Sequence, residues 1–212
     1  MRVKCAVCCG AVACFLAAAG TVNADVLANP GFEAGTSIGG GDFYGASGWI
    51  SFGNVYTTSA PNPPLAGPHS GTGALKQFGT FPGVSGSFQS FAAVAGQTWT
   101  LSGFGLNASS DPMQPENFAL LKISFQNAGN VEIGFAESAF ITNASPVDQW
   151  QSLSAAGVAP AGTDHVNLFC LFVQPNFNGG AAFFDDISAV PAPGAMALLG
   201  ASGLLAMRRR RA

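Results

Sequence analysis

Charge is what this sequence has least of. Only 9% of its 212 residues are Asp, Glu, Lys or Arg, where an average soluble chain has about a quarter. Between residues 25 and 190 the only lysines or arginines are Lys76 and Lys122. All eleven acids lie in that stretch, so it carries a net charge of −9. A surface of that sign repels phosphate backbones and excludes nucleic acid as a partner. It suits an exported protein living among neutral polymers. The other six bases, Arg2, Lys4 and Arg208 to Arg211, sit at the two ends.

Cysteine and histidine are scarce as well. Four of the five cysteines (Cys5, Cys8, Cys9, Cys14) fall in the first 14 residues, leaving Cys170 alone in the body. An internal disulfide is therefore excluded, and stability must come from packing or a metal. Cys170 lies in an apolar run and reads as a buried small hydrophobe. His69 and His165 are the only histidines, and neither has metal-ligand spacing to another His or Cys.

Catalytic constellations are missing too. Gly35-Thr36-Ser37-Ile38-Gly39 matches the G-x-S-x-G elbow, but Gly40 and Gly41 follow where a helix must start, so it reads as a Gly-rich loop. No residue pattern points to a Ser-His-Asp set. Eleven acids always allow some close carboxylate pair, and without a cleft signature that is no argument for a glycosidase. The expectation is a protein that is not an enzyme, with a secreted hydrolase kept as an alternative.

What is present begins with the ends. Met1-Arg2-Val3-Lys4, an apolar run from Cys5 to Val22, and Val22-Asn23-Ala24 make a secretory signal peptide over residues 1–24, cleaved after Ala24. At the other end Val190-Pro191-Ala192-Pro193-Gly194 breaks the chain. An apolar run from Ala195 to Met207 follows, then Arg208, Arg209, Arg210 and Arg211. As a helix the run would span roughly 20 Å, short of the ~20 residues a stable membrane span prefers. The arginines read as a cytoplasmic stop.

This tail resembles the PEP-CTERM sorting signal of exopolysaccharide-producing bacteria, with Ala192 in place of the family's glutamate. A tail of this type also carries the label of an ice-binding-protein C-terminal domain. The resemblance implies an exosortase-type processing enzyme as partner, transient anchoring in the inner membrane, and delivery to the cell surface or extracellular matrix. The plain alternative is an ordinary C-terminal membrane anchor.

Residues 25–190 form one domain between the signal peptide and the tail of residues 191–212. Short apolar stretches alternate with Gly/Pro/Asn turns, which predicts an all-β sandwich or barrel. Strands are expected at Asp25–Ala28, Gly73–Phe78, Phe118–Gln126, Gln149–Leu153, Val166–Val173 and Ala181–Val190. Residues 34–48 read as a Gly-rich loop. Ser87–Val94 and Thr98–Leu106 are expected to pair as a hairpin around Ala95-Gly96-Gln97, with a bulge at Gly103. In Phe118–Gln126, Leu121, Ile123 and Phe125 should point inward, and Asn127–Asn130 should turn into Val131–Phe135. Val166–Val173 is apolar on both faces apart from Asn167, which predicts a central strand covered on both sides. The alternative is an exposed apolar face usable for binding.

Five patterns occur in one order: Asn29-Pro30-Gly31-Phe32-Glu33, Gly48-Trp49, His69-Ser70-Gly71-Thr72-Gly73-Ala74-Leu75, Ala95-Gly96-Gln97-Thr98-Trp99-Thr100-Leu101-Ser102 and Phe184-Asp185-Asp186-Ile187-Ser188. Together they resemble the galactose-binding-like jelly roll of carbohydrate-binding modules of the broad family-4/9/22 type. The resemblance implies two antiparallel sheets face to face, chain ends close together, and no enzyme activity. It also implies a structural Ca²⁺ held by Glu33 and by Asp185 or Asp186, with backbone oxygens near His69 to Thr72. Oxygen ligands suit that hard cation. The alternative is that one aspartate caps a turn and the other is solvated. Strand alternation places Asp185 on the face of Ile187, and Asp186 on that of Phe184 and Ser188.

Modules of this kind stack sugar rings on exposed aromatics. Trp99 and Trp150 are expected to be structural, and Trp49 half-buried. Phe43, Tyr44, Tyr56 and Trp49 are the candidate ring-binding residues, with Asn54 and Gln77 as polar helpers. The expected function is carbohydrate binding on an extracellular polysaccharide. A structural matrix protein with no specific ligand is the alternative. Ice binding would need a flat Thr-rich repeat, and none is legible.

Overall fold

The computed structural model describes residues 25–39, 42–57, 66–79, 83–176 and 178–192, with backbone alone for 36–39 and 42–44. The expected signal peptide, its cleavage point after Ala24, and the tail residues Pro193, Gly194 and Arg208 to Arg211 lie outside the described residues. Among the described residues no helix is long and apolar enough to cross a membrane.

The described chain is built of strands: β1 (Gly35–Gly39), β2 (Asp42–Ala46), β3 (Ile50–Phe52), β4 (Asn54–Thr57), β5 (Leu75–Phe78), β6 (Gly83–Ala92), β7 (Thr98–Asn107), β8 (Phe118–Gln126), β9 (Glu132–Glu137), β10 (Ile141–Thr142), β11 (Gln151–Val158), β12 (His165–Gln174) and β13 (Ala181–Ala192). One sheet runs β10-β8-β12-β6-β3 with β9 also on β8; the other runs β11-β7-β13-β5-β4. Every pairing between these strands is antiparallel. The Gly-rich stretch expected as a loop forms the separate hairpin β1-β2.

The core lies between the two sheets. Leu121, Ile123 and Phe125 of β8 point into it as their alternation predicts, beside Val166, Leu168, Cys170 and Phe172 of β12. Trp99, Leu101, Leu153, Phe184 and Ile187 face them from the other sheet. Burial pushes the Cys170 thiol well up, so it stays protonated.

The expected β6–β7 hairpin does not form. β6 pairs with β12 and β3, and β7 pairs with β11 and β13, so the chain changes sheets between them. Their connection is bonded elsewhere: Ala93 N donates to Asp164 O, Gly96 N to Ala159 O, and Ala159 N to Gln97 O. Backbone groups at a turn need partners, and here the β11–β12 connection supplies them.

The bulge expected at Gly103 lies on the partner strand. β7 pairs with β11 without interruption. On β13 the register slips between Asp185 and Ser188, opposite Phe104 and Ser102, and Asp186 has φ 48°. One extra residue flips the alternation. Phe184 and Ile187 therefore both reach the core, and Asp185 does not share the face of Ile187 as simple alternation implied.

Asp25–Ala28 is not a ladder strand. Val26 N donates to Ala189 O at 3.1 Å, and Asp25 Oδ1 accepts Ala189 N at 3.1 Å. The start of the body thus lies against its last strand, as expected of the chain ends. β13 runs past Val190 to Pro191 and Ala192, which pair with Trp99 and Thr98. Proline is tolerated where a strand pairs on one side, and β5 pairs only with residues 181–184.

Candidate functional site

The five-stranded sheet carries the predicted carboxylate site at the β13 bulge. Asp185 is fully buried, and its Oδ2 accepts the backbone N–H groups of His69 (2.8 Å) and Ser70 (3.1 Å). Its Oδ1 accepts Asp186 N at 2.7 Å. Asp186 meets His69 Nδ1 at 2.6 Å and accepts Ser70 Oγ–H at 2.7 Å. Glu33 accepts Thr72 N (3.1 and 3.0 Å), Thr72 Oγ1–H (2.7 Å) and Gly73 N (3.2 Å). The loop His69–Gly73 is thereby latched onto β13 and the Asn29–Glu33 turn. The His69 ring lies on Phe104 at 3.6 Å, and Trp150 Nε1 donates to Gly67 O at 3.1 Å.

The groups meeting these carboxylates are N–H and O–H donors, not the backbone oxygens the calcium expectation needed. Both lysines lie elsewhere: Lys76 pairs with Asp111 at 2.8 Å and Lys122 with Glu132 at 3.1 Å. The nearby base is His69. Burial pushes Asp185 up to about 6, with the charge of Asp186 adding to the rise and the three N–H bonds opposing it. Partial burial also works upward on Asp186, but its bonds to His69 and Ser70 outweigh it and hold that carboxyl below the usual range. Glu33 is likewise held low: burial works upward, and the bonds from Thr72 and Gly73 prevail.

The chemistry of the donor set still suits a hard cation. A Cβ added to Gly31 would lie 3.6 Å from Asp186 Oδ1, 3.7 Å from Glu33 Oε1 and 3.8 Å from Asp185 Oδ1, so all three carboxylates border one spot. Among the described residues, however, no group of three or more His, Cys, Asp or Glu is arranged to hold a metal.

Of the candidate ring-binding residues, the two whose side chains are described, Trp49 and Tyr56, do not come together. Trp49 is 8% exposed, packs in the core against Phe32 at 5.1 Å and donates Nε1–H to Asn29 O. Gln77 is fully buried between the sheets and donates to Cys170 O at 3.0 Å. Neither reaches a surface, because β5 and the Gly48-Trp49 segment turn them inward; both expectations are corrected. Tyr56 stacks on Phe78 at 5.5 Å, and Asn54 Nδ2 donates to Gly79 O at 2.9 Å. Phe43 and Tyr44 belong to β2, but their side chains lie outside the described residues. Trp99 is buried in the core, and Trp150 packs against a small cluster of Leu106, Ala108, Ala181 and Phe183, so both are structural as expected.

The aromatic surface lies on the outer face of the other sheet. β6 explains it, because its alternation is inverted. Ser85, Ser87 and Gln89 point inward and are buried, while Phe88 points outward. The inward polar groups are engaged. Ser85 Oγ donates to Phe78 O at 2.6 Å and accepts Asn54 N at 2.9 Å. Ser87 Oγ meets Ser51 Oγ at 2.9 Å, and Gln89 clasps both backbone groups of Ala28 at 3.0 and 2.7 Å.

On the outside, Phe88 stands opposite Phe169 of β12, with ring centroids 4.9 Å apart. Phe52 of β3 lies 6.5 Å from each. Gly86 leaves room for it: a Cβ there would meet Phe52 Cζ at 2.5 Å. The expectation that β12 is covered on both sides is therefore corrected. β12 is central, but Phe169, Leu171 and Val173 are only half-buried, and Ile50, opposite Phe88, is 59% exposed.

A polar strip adjoins these rings. Register places Lys122 next to Phe169, and Ser90, Asn167 and Ser124 in the next row. His165 Nε2 meets Gln126 Oε1 at 3.1 Å, Gln126 Nε2 donates to Ser124 Oγ at 3.4 Å, and Ser124 Oγ donates to Glu132 Oε2 at 2.6 Å. Lys122 Nζ lies 4.8 Å over the Phe135 ring. Rings flanked by fixed polar groups are what a hydroxylated ring compound can stack on and bond to.

No protein-family model matches the chain, and no curated protein sequence does. Solved structures match its fold. A Stig cyclase from Fischerella sp. TAU, solved with (3Z)-3-(1-methyl-2-pyrrolidinylidene)-3H-indole, aligns with TM-score 0.56 and 12% identity over 81% of this chain and 98% of its own. The CBM22-1–GH10 modules of a Clostridium thermocellum endo-1,4-beta-D-xylanase, solved with xylohexaose, align with TM-score 0.52 and 16% identity over 82% of this chain and 29% of theirs. The CBM22-1 xylan-binding domain from Paenibacillus barcinonensis aligns with TM-score 0.50 and 14% identity over 78% and 93%. The fold is thus the all-β jelly-roll sandwich expected from the sequence. Fold likeness at such identity does not carry function.

Proposed function

We propose that this chain is a non-catalytic carbohydrate-binding protein. The observation that carries the reading is the half-exposed Phe52–Phe88–Phe169 platform beside a polar strip on which Ser90 is exposed and Lys122 partly so. The rings supply apolar area for a sugar face, and the strip supplies groups for its hydroxyls. Of the carboxylates beside this face, Glu132 and Glu137 lie against Lys122, at 3.1 and 4.0 Å, and Asp164 lies against His165 at 3.0 Å. That leaves them as charge partners rather than an acid/base pair. The fold shared with xylan-binding modules agrees with the reading.

Two further readings belong to the same proposal. The terminal segments direct the chain outward through an exosortase-type enzyme, to a cell surface or polysaccharide matrix. Secreted protein starting at Asp25 and lacking Arg208 to Arg211, by mass spectrometry, is the expected result; an intact chain in the cytoplasm refutes it. Calcium supports the carboxylate latch. Glu33, Asp185 and Asp186 would hold it through oxygen, and it would supply the positive charge that this cluster lacks.

Retention of the purified protein in gels containing neutral polysaccharides, xylan first, tests the binding reading. Retardation relative to a polymer-free gel is expected. Unchanged mobility with every polymer leaves the matrix-protein alternative.

A further inference from the structure

We propose that β11 is a docking edge for a second copy of this chain, the two β11 strands pairing antiparallel about Ala155 into one continuous sheet. β11 closes the five-stranded sheet on one side and pairs only with β7, residue for residue from Gln151 to Val158. Its other side meets no backbone partner among the described residues. Ser152, Ser154, Ala156 and Val158 are exposed along it. The strand contains no charge, no proline and no bulge.

Such an edge is an open template for another strand, and proteins ordinarily blunt it. The other edges here are blunted. β3, β4 and β10 have three, four and two residues. β1 and β2 are Gly-containing and slip in register. β9 carries Glu132 and Glu137 and a register shift. Where β13 runs on past β5, Val26 N donates to Ala189 O and Ile187 N to Pro30 O, so the start of the body fills that edge. Where β7 runs on past β11, Val147 bridges to Asn107. Among the described residues β11 alone is left long, uncharged and unfilled. A rule kept around the rest of the sandwich and broken at one strand marks function.

The strand fits its own copy. Opposed residues of an antiparallel pair share a face. Pairing about Ala155 sets Ser154 opposite the partner's Ala156, Val158 opposite the partner's Ser152 and Leu153 opposite the partner's Gly157. The larger side chains each meet a small one, and no charge meets a like charge. Opposing residues 152–158 gives roughly six to eight main-chain bonds, because each hydrogen-bonded pair exchanges two. A typical interface has about 10 ± 5. A two-fold axis perpendicular to the sheet keeps like faces on one side. Both Phe52–Phe88–Phe169 platforms then look the same way, so one polymer meets two of them and is held by avidity. That consequence rests on the carbohydrate-binding reading; the pairing itself does not.

Size-exclusion chromatography with light scattering of the full chain, at up to about 0.1 mM, tests the pairing. Salt of about 0.15 M screens the repulsion between two acidic bodies. The wild type should be a dimer. Ser154→Lys/Ala156→Lys changes two exposed positions, sets like charges opposite each other, and should be a folded monomer. Ser154→Lys/Ala156→Glu sets opposite charges across the axis and should restore the dimer. Ala156→Lys alone serves if the double lysine variant does not fold. A monomeric wild type overturns the proposal. So does a dimeric double lysine variant, which would place the association in segments that all these proteins share, such as the apolar end runs. A monomeric Ser154→Lys/Ala156→Glu overturns the pairing about Ala155. On xylan gels the monomeric variant should be retained at least about tenfold more weakly than the wild type, while a short xylo-oligosaccharide binds both alike. Equal retention overturns the avidity. A wild-type dimer that binds no glycan removes the carbohydrate reading and leaves the pairing standing.

Discussion

Gly103 of β7 lies against Ile187 of β13: a Cβ on Gly103 would sit 2.4 Å from Ile187 Cδ1 and 3.1 Å from Ile187 Cα. The missing side chain admits the extra residue of the β13 bulge. That bulge turns Ile187 into the core and leaves Asp185 and Asp186 together at the His69–Gly73 loop. Gly103→Ala should therefore overpack the core by about 1–3 kcal/mol and loosen the loop as well. Urea unfolding measures the first effect and limited proteolysis of the loop the second. An alanine variant as stable as the wild type would show that the bulge does not depend on this contact.

The latch depends on Glu33 as a charged acceptor of several bonds. Glu33→Gln keeps the shape but cannot accept all of them. A loss of about 1–3 kcal/mol is expected, read as a lower denaturation midpoint with faster amide exchange at Thr72 and Gly73. Unchanged exchange there would contradict the latch.

Asp185 sets a pH dependence of definite sign. Its folded-state value of about 6 stands above its ordinary 3.8. At acid pH it is protonated in both states. Between those two values the folded chain holds the proton more tightly, so this group's contribution to stability falls as pH rises. Glu33 and Asp186, held low, act oppositely: their contributions are present above the ordinary carboxylate range and are lost as pH falls. In chelator, the stability of the wild type relative to Asp185→Asn should fall by on the order of 2 kcal/mol as pH rises from about 4 to 6. A constant difference across that range contradicts the assignment.

Calcium should alter this balance. At pH 7 millimolar Ca²⁺ is expected to raise the thermal midpoint by several degrees over chelator, by binding the folded state alone. The gain should vanish in Asp185→Asn/Asp186→Asn. Equal midpoints with calcium and chelator would mean that N–H donors alone complete the latch.

The fold was legible where alternation follows burial. Leu121, Ile123 and Phe125 announced the inner face of β8, and the Asn127–Asn130 turn announced its hairpin with β9. Alternation failed at β13 because a bulge leaves no mark in a sequence beyond the paired aspartates that occupy it. The hairpin expected from β6 and β7 failed for another reason: a short Ala-Gly-Gln connection fits a turn within a sheet and a crossing between sheets equally well. The carboxylate cluster could be read from its motif, but its partners could not, since whether a loop offers N–H or C=O depends on backbone angles. The aromatic face was hidden by polarity. Searching loops for tyrosines favours Tyr44 and Tyr56, whereas the rings that assemble are phenylalanines inside strands. The signal lay in β6, where Ser85, Ser87 and Gln89 alternate with Phe88, and in β12, whose apolar residues exceed what one buried face can take.

The central claim is that the outer face of the six-stranded sheet binds neutral glycans through its rings. Calorimetric titration of soluble neutral polysaccharide into the wild type and into Phe88→Ala/Phe169→Ala, both confirmed to unfold cooperatively, tests it most directly. The account predicts saturable heat for the wild type and an affinity at least about tenfold weaker, ~1.4 kcal/mol, for the double variant. Equal affinity in the two proteins, or no heat from the wild type with any neutral polysaccharide, would contradict it.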